Sequence, residues 1–222
     1  MILNINKPSK ITSHDVVDEV RRITGEQRVG HAGTLDPFAN GVLVIAVGRE
    51  NTKKLGEITK NTEKEYIALV ELGKTSTTGD PEGTITITAS SEQLKTITEK
   101  DVTKSIQKFL GEITQTPPPY SAIKIQGIPA YKLARKGKHI NMPSRKVTIY
   151  ELELLEFTPP FVKLRIVCSS GTYIRSLAQD IGKALFVGAY LKELTRKRVG
   201  EFRIEESTRL EDLPNQLSLH FP

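Results

Sequence analysis

The stretch Gly30 to Gly41 reads GHAGTLDPFANG and carries a histidine and an aspartate five residues apart, among three glycines and a proline. Glycine lets a backbone approach a ligand closely. Pro37 fixes its own φ and holds Asp36 in extended geometry. One carboxylate is thus presented on a stiffened loop. It could act as a nucleophile or steady an electron-poor centre. Asp-Pro is also common in turns, and on the segment's physics alone the turn reading of Asp36 carries more weight. His31, taken alone, suggests a general base.

A second pattern suits a polyanion. From Lys124 to Lys146 there are seven basic residues (Lys124, Lys132, Arg135, Lys136, Lys138, Arg145, Lys146) and no acid, with Tyr131 and His139 interleaved. Such a stretch can neutralise phosphates and stack an aromatic on a base. The plainer alternative is a solvated basic face. Elsewhere single residues read blandly. Arg175 reads as a surface arginine opening a helix, Tyr66 as a core tyrosine on a strand, and Tyr173 and Leu194 as core residues. Cys168 reads as a small buried apolar residue.

The elements that must hold these residues alternate. Ser13 is a candidate N-cap for a helix through about Ile23, with Val16, Val17, Val20 and Ile23 on one face. Gly41–Gly48 is an apolar run bounded by glycines, hence a buried strand. Tyr66–Leu72, Val147–Phe157 and Val162–Cys168 read as strands, and Asp101–Leu110 and Tyr173–Leu185 as helices. Gly73–Gly83, with three glycines, a proline and four Ser/Thr, reads as a mobile surface connection, and the prolines of Thr116–Ser121 exclude a helix interior. Strands and helices without a regular βαβ rhythm favour an α+β fold with a mixed or antiparallel sheet.

The chain has 222 residues, a formal net charge of +6, and one cysteine. An internal disulfide and a Cys-pair zinc site are therefore excluded. The longest apolar run, Val42 to Val47, is far short of the ~20 residues that span a bilayer. Asn4, Asn6 and Lys7 argue against a signal peptide, so the expected location is the cytoplasm.

Six blocks in order resemble the TruB-type tRNA pseudouridine synthases. They are KPSKITS (Lys7–Ser13), GHAGTLDPFANGVL, KEYIA (Lys64–Ala68), QTPPPYSAIKIQGIPAYKLAR (Gln115–Arg135), CSSGTYIRSLAQDIG (Cys168–Gly182) and LTRKRVGEF (Leu194–Phe202). The resemblance covers nearly the whole chain. It implies a pseudouridine synthase fold, α+β, with a central mixed, largely antiparallel sheet flanked by helices and loops. It also implies one catalytic domain over 1–222, with 73–90 and 116–146 as loops or RNA-binding insertions.

The implied reaction turns uridine 55 in the tRNA T loop into its C-glycoside. The N-glycosidic bond breaks, the uracil rotates, and C5 joins the ribose, with no metal or redox cofactor. The resemblance makes Asp36 the catalytic aspartate, Arg175 the arginine that pairs with it, and Tyr66 the tyrosine that stacks on the uracil. Tyr173 and Leu194 line the uracil pocket. His31 packs into the RNA and helps hold the target nucleotide out of the stack, an extrusion that costs a few kcal/mol. Lys7, Lys132, Arg135 and Lys136 are the further substrate contacts. The expected partner is the T arm of tRNA, bound by a monomer away from any membrane.

Phe38 and Asn40 stand where family members often carry Leu and Thr, so altered packing with retained activity is expected. Only 20 residues follow Phe202, too few for the small RNA-binding PUA domain of many bacterial members. A catalytic domain alone is therefore expected. Two other classes compete with the enzyme: a tRNA-folding chaperone without essential catalysis, and a glycoside hydrolase. The hydrolase is disfavoured because no second acid lies in the Gly30–Gly41 loop.

Overall fold

The apolar run after Gly41 becomes the strand Asn40–Val47 in the computed structural model, which describes residues 1–60, 62–138 and 140–218. All its residues but the first are buried, which is why it reads as a continuous apolar run and not as an alternation. The chain groups into two compact units, Met1–Ile67 with Leu194–Pro222, and Ala68–Glu193. It passes from one to the other within the strands Lys64–Leu72 and Ala189–Val199.

In the first unit the strand Ile2–Lys7 runs antiparallel to Asn40–Val47, from Ile2 opposite Ala46 to Lys7 opposite Gly41. Asn40–Val47 also pairs antiparallel with Val29–His31 and parallel with Thr195–Arg196. The sheet of this unit is therefore mixed. Helix Ser13–Thr24 covers one face with Val16, Val17 and Val20, packed among Ile5, Leu43, Ile45 and Leu213. Its N-cap is Thr12, one residue before the expected Ser13. Thr12 and Asp15 form a capping box, with Thr12 N to Asp15 Oδ2 at 2.7 Å and Asp15 N to Thr12 Oγ1 at 3.0 Å. Ser13 is instead buried inside the first turn. Gly25, at φ 69°, ends the helix in the left-handed conformation.

In the second unit the long strand Arg145–Thr158 pairs antiparallel with Phe161–Cys168 and with Gly111–Gln115. Helix Ile174–Ala184 buries Ile174, Leu177, Ala178 and Ile181. Gly182 makes its close packing possible, since a Cβ there would stand 2.3 Å from the Ala189 nitrogen. The Gly73–Gly83 stretch differs from expectation: Lys74–Ser76 pairs with Ile85–Ile87, and Asp80 is buried. Glu71 is also buried, bonded by Lys74 Nζ (2.7 Å), Lys192 Nζ (3.0 Å) and the Tyr190 hydroxyl (2.7 Å). Burial alone would raise its carboxyl, but these three donors hold it below the usual carboxylate range. Among the described residues no helix is long and apolar enough to cross a membrane.

Candidate active site

Asp36 lies half-buried on the loop between Val29–His31 and Asn40–Val47. Five consecutive carbonyls around it are tied down. Arg196 Nη2 donates to Gly33 O (3.1 Å) and Nη1 to Thr34 O (3.4 Å). Ser13 Oγ donates to Leu35 O and accepts from Leu35 N, both at 2.9 Å. Ala39 N donates to Asp36 O at 3.1 Å, and Lys10 N to Pro37 O at 2.7 Å. Lys7 Nζ reaches the same Pro37 O at 3.3 Å, besides Ile11 O (2.7 Å) and Pro8 O (2.8 Å). The loop is therefore a rigid mount for one carboxylate. Lys7, expected as a substrate contact, is 0% exposed and braces this loop instead. Ser13 and Arg196 were not foreseen in this role, because their partners are distant backbone oxygens that no local pattern marks. Tyr66 is 6% exposed on the strand Lys64–Leu72, and Leu194 is buried at the start of the second segment of this unit.

In the other unit Arg175 is the second residue of helix Ile174–Ala184 and only 5% exposed, so it is no surface arginine. Its Nη1 meets Asp80 Oδ2 at 3.1 Å and Thr78 O at 3.0 Å, and its Nη2 meets Tyr120 O at 3.0 Å. Asp80, 3% exposed, also accepts from Thr78 Oγ1 (2.6 Å) and Glu82 N (3.0 Å). Sequence reading missed Asp80. Its one signal was a second Asp-Pro pair in a glycine-rich stretch. Tyr173, just before the helix, is fixed by Gln115, whose side chain bonds Tyr173 O at 2.9 Å and Tyr173 N at 2.7 Å. The Arg145 guanidinium lies 4.8 Å from the centre of the Tyr173 ring and also bonds Gly171 O.

Residues 21–174 match the TruB family pseudouridylate synthase N-terminal domain, and residues 175–220 match the tRNA pseudouridylate synthase B C-terminal domain. The chain belongs to the TruB family of pseudouridylate synthases. Proteins named tRNA pseudouridine synthase B from Dehalococcoides mccartyi (strain CBDB1) and Clostridium tetani are 46% and 45% identical over 212 residues. The match takes in 96% of this chain and 69% and 72% of theirs. Among solved structures, a chain of a Cbf5-Nop10-Gar1 complex superposes with a TM-score of 0.75 at 32% identity. One of an H/ACA RNP bound to a substrate RNA containing 2′-deoxyuridine gives 0.71 at 29%. This chain is covered to 98% in both and spans about half of each, 54% and 53%.

The TruB basic segment is not a plain loop. Lys124–Ile125 and Ile128–Pro129 form a short hairpin turning at Gln126 (φ 48°) and Gly127 (φ 83°), and Ala130–Ala134 is a helical turn. Lys124, Lys132, Arg135, Lys136 and Lys138 extend along it, with Arg135 5.6 Å from the Tyr131 ring centre. Arg145 is engaged within the fold, with Tyr173 and Gly171, while Lys146 is exposed and pairs with Glu112 at 2.8 Å. His139 lies outside the described residues.

His31 is half-buried, and its Nδ1 is buried with no hydrogen-bond partner. Burial first, then the charges of Arg196 and His14, hold its pKa below the ordinary 6.5. Well above 6.5 it is neutral in both states and contributes no pH dependence. As pH falls below that value the unfolded chain takes up a proton that the folded chain resists, so folding loses stability. His31→Asn is expected to flatten the fall in melting temperature between pH 7 and pH 5. Parallel wild-type and mutant curves over that range would contradict this.

Proposed function

We propose that this TruB-family chain isomerises uridine to pseudouridine in tRNA, at position 55 of the T loop. The observation that carries the reading is the rigid loop around Asp36, in a chain about 46% identical to curated proteins named tRNA pseudouridine synthase B. In the reaction the N1–C1′ bond breaks and a C5–C1′ bond forms. The C5 hydrogen leaves as a proton and N1 gains one, so no atom or electron is supplied from outside. Asp36 supplies the carboxylate at the anomeric carbon and Arg175 the guanidinium that keeps such a carboxylate ionised. Tyr66 stacks on the uracil, Tyr173 and Leu194 shape its pocket, and His31 fills the place of the extruded nucleotide.

A tRNA transcript and one with cytidine at position 55 form the test. Pseudouridine forming in the first and in no position of the second supports the reading; equal modification of both overturns the site assignment.

Lys132, Lys136 and Lys138 are proposed to meet tRNA phosphates. Replacing all three by Ala is expected to weaken binding and flatten its salt dependence, since each neutralised phosphate adds roughly 0.7 to 0.9 to the log–log slope. The single-turnover rate at saturating tRNA should stay near wild type. An unchanged slope, read from affinities at several salt concentrations, would place the phosphate contacts elsewhere.

A further inference from the structure

Arg196 is 1% exposed, although it lies in the basic run Arg196-Lys197-Arg198 that invites a reading as phosphate contacts. Its guanidinium has no face left for a phosphate. Nε donates to Val42 O at 2.7 Å, Nη2 to Gly33 O at 3.1 Å and Nη1 to Thr34 O at 3.4 Å. These three oxygens belong to the two roots of the Asp36 loop: Gly33 and Thr34 where it leaves, Val42 where it has joined the strand. The main chain of Arg196 grips the second root as well. It pairs in parallel with Gly41, and a Cβ on Gly41 would stand 2.3 Å from Arg196 O, at a φ of +106° that suits glycine.

We propose that Arg196 is a positioning residue for the isomerisation: it sets the path of the loop backbone and so the reach of the Asp36 carboxylate. The inference rests on the reading of Asp36 as catalytic. A buried cation is expensive, and a packed apolar side chain would fill the space more cheaply. What only a guanidinium supplies here is a planar fork of donors that spans two chain segments at once. Lysine ends in a single nitrogen and so cannot offer the Val42, Gly33 and Thr34 oxygens a separate donor nitrogen each, as the guanidinium does. Lys7, Lys10 and Ser13 fix Leu35 and Pro37, on the far side of the loop, so losing Arg196 leaves Asp36 tethered but displaced. Misplacement of a reacting group by about 1 Å costs on the order of 100-fold in rate.

The test compares Arg196→Lys, Arg196→Gln and Asp36→Asn in the full chain, with thermal melting to set an assay temperature at which each is folded. Single-turnover rate at saturating tRNA and tRNA affinity are measured separately. Both Arg196 variants are expected to lose roughly 30- to 100-fold in rate, with affinity within about threefold of wild type. Lysine, which keeps charge and bulk, should rescue little.

Folded variants with near-normal rates would overturn the inference. So would an affinity loss that matches the rate loss, or failure of both variants to fold at any temperature; the last would make Arg196 a stability residue. Asp36→Asn separates the two levels. If it is inactive while the Arg196 variants are normal, only the inference falls; if it turns over normally, the reading of Asp36 falls first.

Discussion

Asp36→Asn is expected to abolish turnover while tRNA binding stays within about twofold of wild type, because the amide keeps the shape of the carboxylate and removes its charge. The loop should not notice the change: the backbone oxygens from Gly33 to Pro37 are held by Arg196, Ser13, Ala39, Lys10 and Lys7. A folded, RNA-binding, inactive protein is therefore the expected product. Loss of a preorganised charge of this kind costs at least ~100-fold, or ~2.7 kcal/mol of transition-state stabilisation. Retention of more than about a tenth of the wild-type rate, a loss of under ~1.4 kcal/mol, would show that Asp36 is not the catalytic carboxylate.

The second large effect is expected at the Arg175–Asp80 pair. Its side chains are 5% and 3% exposed, so solvent screens little of their attraction. Asp80→Asn takes one carboxylate away from a guanidinium that solvent hardly reaches. Breaking a buried pair in this way costs about 3 to 5 kcal/mol. In a chain of this size that is a fall in melting temperature of roughly 6 to 20 °C. Replacing both partners by apolar residues, Arg175→Met with Asp80→Leu, should recover part of that stability, because neither charge of this pair is then left buried without the other. The double variant should stay inactive, since Arg175 is assigned a role toward the reacting carboxylate. A stable double variant with normal turnover would reduce the pair to a structural device. A single Asp80→Asn variant as stable as wild type would show that the pair is solvated.

The parts of the fold legible in the sequence are those whose burial leaves a local pattern. The strand Asn40–Val47 shows as an unbroken apolar run, and helix Ser13–Thr24 shows as Val16, Val17 and Val20 on one face. Helix Arg49–Thr59 passed unread because it buries no residue fully and has no side-chain cap, and only Leu55 and Ile58 mark its apolar face. The strand Ala189–Val199 also passed unread. Its Lys192, Arg196 and Arg198 look solvated in sequence, yet Glu71, three backbone oxygens, and Glu63 with Glu65 receive them. Partners so far apart in the chain leave no trace in any window.

The candidate site divides the same way. Asp36, Tyr66 and Arg175 were reachable because their types stand inside family-like blocks. Asp80 was hidden in a stretch rich in Gly, Ser, Thr and Pro, the composition of an exposed turn, and its buried ion pair is made with Arg175, 95 residues away in the chain. Lys7 carried the right block and the wrong role, since burial turns a basic side chain from a phosphate contact into a brace for backbone oxygens.

The measurement that tests the central claim most directly uses tRNA tritiated at C5 of its uridines and the purified chain with no added cofactor. Loss of the C5 hydrogen to water, with nucleoside digestion showing pseudouridine in place of uridine, is the result expected, and Asp36→Asn should release none. Free uracil in place of pseudouridine would mean glycoside hydrolysis. No tritium release from a tRNA that the chain binds tightly would mean a binding protein, and either result would contradict an isomerase built around Asp36.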